Sequence, residues 1–315
     1  MPSIVSFGEI LIDLTEVGST QGGAPLYAAY PGGAPANLAV AAARLGADAA
    51  FVGKVGSGPF GTQLRQTLQE NGVDTTFLYT DRNDLSTFTI VSLDPTGRSQ
   101  YRFFRSTGAD MMLTQEEAMA GLVGSPRLFH FGSVALANEP AKSAVLSAAA
   151  MAHRLGSLIS FSPNYRENLW TSPTDFAYQI RRVLPMCDMI RLNRRELLLL
   201  TDTDDLDKGA EILSTSYGIL LVLITLGAEG SYYRYRGKSG RVPAWPCNCI
   251  DSNGAGESYM GAFLTRLLQE DREGEIPIET IEDMMRFASK AAAITCSRHG
   301  AMPAMPTLAE VEALE

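Results

Sequence analysis

Thiols and imidazoles are scarce in this chain. Cys187, Cys247, Cys249 and Cys296 are its only cysteines, and it has three histidines. No C-x-x-C pair occurs, so neither a zinc ribbon nor a disulfide framework is encoded, and the thiols read as packing residues in a reducing compartment. His130 falls in an apolar run, and His153 and His299 fall in helical patterns without metal-ligand spacing. Positive charge is also short: Lys and Arg number 26 against 35 Asp and Glu, a formal net charge of −9. That balance excludes nonspecific binding to nucleic acid or anionic membrane, since both need clustered cations. No apolar run approaches the ~20 residues of a membrane span. The opening MPSIVSFGEILID has neither the basic stretch nor the cleavage site of a signal peptide. These absences predict a cytoplasmic protein. Also missing are G-x-x-x-x-G-K-S/T and G-x-S-x-G, which removes P-loop NTPases and nucleophile-elbow hydrolases.

What is present is enough apolar material, 45% of 315 residues, for one large α/β domain. Short apolar runs (SIVSFGE, AAFVGKV, LFHFGSV, LISFSP, DMIRLN, LLVLITLG) alternate with helical patterns near 35–45, 60–71, 140–155 and 205–216. That order predicts a parallel sheet covered on both faces. Gly46, Gly72, Gly156 and Gly218 stand where left-handed helix ends are expected. The texture changes at 86–105, where two β-rich runs flank DPTG, a turn signature. Together with 11–30 it predicts a small β-layer on the main sheet, within a single domain over 1–315.

Polar and glycine-rich stretches cluster after strands and at helix starts, where open α/β sheets bind ligands. GSGPFG at 56–61 matches G-x-G-x-x-G, but it follows the second strand and Pro59 fits a helix N1, so a turn and cap explains it. In YPGGAPANLAV, Gly33 permits close backbone approach and Asn37 offers hydroxyl-binding groups near a helix start. Asp13, ending an apolar run, suits sugar-like hydroxyls or a turn cap. Arg166 in PNYRENLW has the fork of donors that clamps phosphate. Asn193 and Glu196 in RLNRREL form a capping-box pattern, and Thr225 and Gly227 end a strand in LITLGAEG. In IDSNGAGESYM, the small residues Gly254, Ala255 and Gly256 precede Glu257. An unshielded helix start binds anions, whereas the carboxylate could instead cap the helix, and both readings stand.

Taken in order, GGAPANLAVAAARLG, VGKVG, YRFF, PNYRENLW, LITLGAEG and GAGES resemble the ribokinase-like family of carbohydrate kinases over nearly the full length, most of all its fructokinases. The resemblance implies a three-layer α/β/α sandwich with a mostly parallel central sheet and a β-sheet lid. It further implies ATP and Mg²⁺ as cofactors, with K⁺ as a further ion, and phosphoryl transfer to a sugar hydroxyl. Asp13, Gly33, Asn37 and Arg105 would hold the sugar; Arg166, Asn193, Thr225 and Gly227 the nucleotide; Glu196 the Mg²⁺ through water; Asp251 a monovalent cation. Gly254, Ala255 and Gly256 would form the anion hole. A homodimer through the β-lid is implied as well. Two positions depart from the family pattern: Glu257 stands where the catalytic aspartate is usual, and Ser162 where an aspartate usually precedes PN. They favour the alternative of a binding relative with little turnover. A kinase for another sugar or a nucleoside is the other alternative.

Overall fold

The computed structural model describes residues 2–93, 99–105, 108–270 and 274–314. Its strands are β1 (Ile4–Phe7), β2 (Leu11–Ser19), β3 (Pro25–Gly32), β4 (Ala49–Gly56), β5 (Leu78–Asp81), β6 (Phe88–Leu93) and β7 (Ser99–Phe104). They continue with β8 (Leu128–Gly132), β9 (Leu158–Ser162), β10 (Met189–Asn193), β11 (Leu221–Thr225), β12 (Ser231–Tyr235) and β13 (Lys238–Val242). Each apolar run read as a strand is one, and the four helical patterns become helices Ala34–Arg44, Pro59–Glu70, Ala141–Arg154 and Leu206–Tyr217. Gly46 and Gly218, at φ 93° and 76°, take the left-handed geometry that ends a helix at low cost for glycine.

Nine strands form the main sheet in the order β13-β12-β11-β10-β9-β8-β1-β4-β5. All neighbours are parallel except β11 with β12 and β12 with β13. The chain winds outward from β1 in both directions, so the strand order reverses between β1 and β8. A crevice opens there at the carboxyl edge. Strand parity feeds two apolar layers. Val5, Phe7, Phe129, Phe131, Phe161, Ile190 and Leu192 pack toward helices Ala141–Arg154, Pro173–Arg181 and Leu206–Tyr217. Ile4, Leu128, Met189 and Leu221 pack on the other face, toward helices Ala34–Arg44, Ala255–Gln269 and Ile278–Cys296.

Strands β3-β2-β6-β7 make the separate small sheet, with β2 parallel to β6 and the other pairs antiparallel. The DPTG turn expected between its last two strands lies outside the described residues. GSGPFG is a turn and helix start: Gly58 is the N-cap and Pro59 opens the helix. A Cβ on Gly61 would overlap the carbonyl of Gly56, so close packing accounts for that glycine. His299 lies past the end of helix Ile278–Cys296, not in a helix as its pattern suggested.

Among the described residues, no helix is long and apolar enough to cross a membrane. In the aromatic seam of the core, Phe131 and Phe161 are fully buried with ring centroids 4.8 Å apart. Phe131→Ala should therefore cost about 3–5 kcal/mol in urea unfolding; a loss below about 1 kcal/mol would contradict this placement of the core.

Candidate active site

Two recesses lie along the carboxyl edge of the main sheet. The smaller sits at the β1/β8 reversal and is lined from the body by Glu9, Gly33, Asn37, Val134, Asn164 and Glu257. The lid closes it with Leu11 and Asp13 of β2 and Tyr101 and Phe103 of β7. The larger runs past the ends of β10 and β11 and is lined by Arg191, Asn193, Thr225, Gly227, Trp245, Ala255 and Gly256, among others. The first turn of helix Ala255–Gln269 contributes to both: Glu257 to the small recess, Ala255 and Gly256 to the large one.

That helix starts from Gly254, at φ 78°, with no side-chain cap. The Ala255 N–H turns back to the Ser252 carbonyl at 3.3 Å, which leaves the N–H groups of Gly256 and Glu257 and the positive end of the dipole available to an anion. Among the described residues, the Glu257 carboxylate has no hydrogen-bond or ion-pair partner, so it does not cap the helix and stays available to the small recess. Arg191 reinforces the positive field. A Cβ on Gly256 would overlap its guanidinium, which also donates to Thr225 Oγ1 at 3.1 Å, and its Nε is buried without a partner. A guanidinium beside a helix N-terminus is repulsive until an anion arrives between them. Arg191 is not among the residues singled out from the sequence. Its signal was parity with Met189, which turns a charged residue in an apolar strand toward the helix.

In the small recess, a Cβ on Gly33 would fall 2.5 Å from the Glu9 carbonyl oxygen, and φ is 108° there, so only glycine fits. Asn37 Oδ1 is buried without a partner. Asp13 is 5% exposed. Burial pushes its carboxyl up to about 7 despite the Arg166 charge and the Asn253 side chain bonded to it, which both pull downward. Tyr101 of the lid donates to Asn253 Oδ1 at 3.2 Å, which latches β7 to the loop before Gly254.

Several sequence expectations change. Arg105 is not in the recess: its guanidinium is committed to Asp110, with Nε donating at 2.8 Å, and to the Val134 carbonyl at 3.0 Å. Arg166, expected among nucleotide contacts, lines the small recess and stacks 4.5 Å from the Tyr101 ring centroid. Asn164, at φ 45°, turns the loop after β9 that way. Ser162 is buried and lines neither recess. Glu196 lines neither recess. Its oxygens take the N–H groups of Tyr165 at 2.8 Å and Asn193 at 2.9 Å, completing the capping box. Asp251 likewise accepts from the N–H groups of Asn253 and Gly300, each at 2.9 Å. The cysteines are not all packing residues: Cys187 is buried, but Cys247, Cys249 and Cys296 line the large recess. His130 is a core residue, bonded to Ser160 Oγ at 2.8 Å, with its pKa pushed down to about 3 chiefly by burial.

Residues 1–308 match the family model described as pfkB family carbohydrate kinase. Fructokinase-1 of Oryza sativa subsp. japonica is 37% identical, covering 98% of this chain and 96% of its own. Among solved structures, fructokinase with bound ATP from Xylella fastidiosa superposes with a TM-score of 0.90 at 29% identity, over 100% of this chain and 98% of that one. Fructokinase from Vibrio cholerae O395, in its fructose, ADP and calcium ion bound form, gives a TM-score of 0.88 at 32% identity, over 99% and 98%.

The raised pKa of Asp13 fixes a pH signature. Between the ordinary value of 3.8 and about 7 the folded protein holds a proton that the unfolded chain has lost. Asp13 therefore contributes most stability below its unfolded value and loses it as pH rises through about 7. Wild type should lose several degrees of Tm relative to Asp13→Asn between about pH 5 and about pH 8. A Tm difference that stays constant over that interval would contradict the burial of this carboxyl.

Proposed function

The chain belongs to the pfkB family of carbohydrate kinases and is an ATP-dependent sugar kinase; from that premise we propose that its acceptor is fructose, held in the small recess, with ATP along the large one. The observation that carries this reading is the uncapped helix start, which presents Glu257 to one recess and the Gly256 turn to the other. The name of the rice relative and the fructose and ADP bound to the Vibrio protein support the choice of sugar.

In this reading Asp13, Asn37 and the Gly33 backbone bind fructose hydroxyls, and the lid residues Tyr101 and Phe103 exclude water above it. Glu257 accepts the proton of the attacking hydroxyl. The N–H groups of the first helical turn, with Gly254, Ala255 and Gly256 leaving their approach open, hold the charge on the transferring phosphoryl oxygens. Arg191 from one side and Arg166 from the other add positive charge where the recesses meet. Asn193, Thr225 and Gly227 line the nucleotide.

Magnesium carried on the ATP phosphates would neutralise their charge. Mg²⁺ keeps most of its waters, and Glu196, whose oxygens already accept from two backbone N–H groups, would act on it through those waters. A potassium ion at Asp251 would steady the loop that this carboxylate ties to Gly300. The exposed distal part of the β2-β3 hairpin, with Val17, Leu26 and Tyr27, suits a second copy of the chain. Free thiols at Cys247 and Cys249 suit a cytoplasmic setting.

Coupled ADP-release assays over fructose, ribose, 2-keto-3-deoxygluconate and adenosine should give the highest kcat/KM with fructose; a faster rate with another acceptor overturns the sugar assignment. Glu257→Gln should lower kcat by roughly 100- to 10,000-fold while both KM values hold, and a variant retaining wild-type kcat would remove Glu257 from the chemistry. Gly256→Ala should displace the Arg191 guanidinium, a flexible neighbour, and cut kcat by about 10-fold or more with little change in Tm. Light scattering should return twice the 34.0 kDa chain mass; a monomer at micromolar concentration would refute the dimer.

A further inference from the structure

Glu9 follows β1 directly at the strand-order reversal and is 3% exposed. Its Oε1 accepts the N–H of Ala34, the first residue of helix Ala34–Arg44, at 3.1 Å. Its Oε2 is buried, has no hydrogen-bond partner, and belongs to a side chain lining the small recess. Holding the Ala34 N–H takes one acceptor atom, so the second oxygen is surplus to that structural task. Buried carboxylate oxygens without donors are rare because the desolvation cost is uncompensated. Asn37 Oδ1 is a second orphan acceptor in the same recess. Two unmet acceptors in one recess call for a ligand that brings hydroxyl donors.

We propose that Glu9 is a sugar-contacting residue whose Oε2 accepts a hydroxyl of the acceptor sugar, a contact additional to those of Asp13 and Asn37. The inference rests on the reading of the small recess as the sugar site. The charges around the carboxyl fit this task. Burial pushes its pKa up to about 7 and Asp110 adds to that, while the backbone N–H groups of Glu9 and Ala34 and the Arg105 charge pull it down. Asp13 and Glu257 share the recess with it, and Arg166 is the cation lining that space. A sugar hydroxyl donating to Oε2 supplies the missing solvation of the ionised form. Through Oε1, the same side chain couples sugar occupancy to the Gly33–Ala34 turn, so the contact also positions the backbone that approaches the sugar.

Glu9→Gln separates this role from a structural one. The amide oxygen still accepts from Ala34, while an NH₂ replaces the orphan acceptor. KM should rise roughly 10- to 100-fold for whichever sugar the wild type phosphorylates fastest, with KM for ATP and Tm nearly unchanged. Glu9→Asp, which keeps the acid but withdraws it by a methylene, should raise the sugar KM too. Among monodeoxy analogues of that sugar, one should be penalised in wild type and not further penalised in Glu9→Gln. If Asp13→Asn raises the sugar KM and neither Glu9 variant does, the Glu9 contact is overturned and the recess reading stands. If none of the three raises it, both fall. If ATP alone binds more weakly in the Glu9 variants, the recess has been assigned to the wrong substrate and the proposal is overturned with it.

Discussion

A helix that begins without a side-chain cap leaves N–H groups that must find an acceptor elsewhere, and here that helix begins between two recesses. Its second residue has no side chain because the Arg191 guanidinium occupies the place of a Cβ. Its third is a carboxylate that lines the smaller recess. In the proposed mechanism, acid and anion site are thereby fixed by consecutive residues on one rigid element. Their separation depends on helical geometry more than on loop conformation, which is what in-line transfer between two bound substrates requires.

The rest of the architecture serves that helix start. Helix Ala255–Gln269 is buried on the main sheet through Tyr259, Met260, Phe263 and Leu264, so its N-terminus is held by the core and not by the cleft residues themselves. The strand-order reversal between β1 and β8 opens the recess that Glu257 faces, and the parallel run through β10 and β11 delivers Asn193 and Thr225 to the neighbouring one. The lid contacts this centre directly through Tyr101, bonded to Asn253 just before Gly254 and stacked under Arg166. The lid and the helix start are therefore physically linked.

The main sheet was legible in the sequence because its parallel strands are buried on both faces and read as unbroken apolar runs between glycine-terminated helices. The short edge strands β5 and β13 carry less of that signal. Residues that line the recesses were legible where glycine and polar groups follow strands, as with Asp13, Gly33, Asn37, Ala255, Gly256 and Glu257. Residues defined by long-range partners were not. Arg105 resembles a ligand in sequence but is neutralised by Asp110, whereas Glu9 and Arg191 look ordinary until the fold leaves one polar atom of each, Oε2 and Nε, without a partner. The capping-box pattern named both bonds of Glu196 to its own turn, yet its tie to Tyr165, 31 positions away, needed the fold. Cys247, Cys249 and Cys296 looked alike as packing residues, and only the fold sets all three along the larger recess.

The claim at the centre of this account is that one helix start carries the base toward the sugar and the anion hole toward the nucleotide. A crystal structure of the chain with fructose and a non-hydrolysable ATP analogue tests it most directly. The account predicts a Glu257 oxygen about 2.6–3.2 Å from the acceptor hydroxyl, with the γ-phosphate against the Gly256 turn. A sugar bound with its hydroxyls beyond reach of Glu257, or a γ-phosphate held away from this helix start, would contradict it.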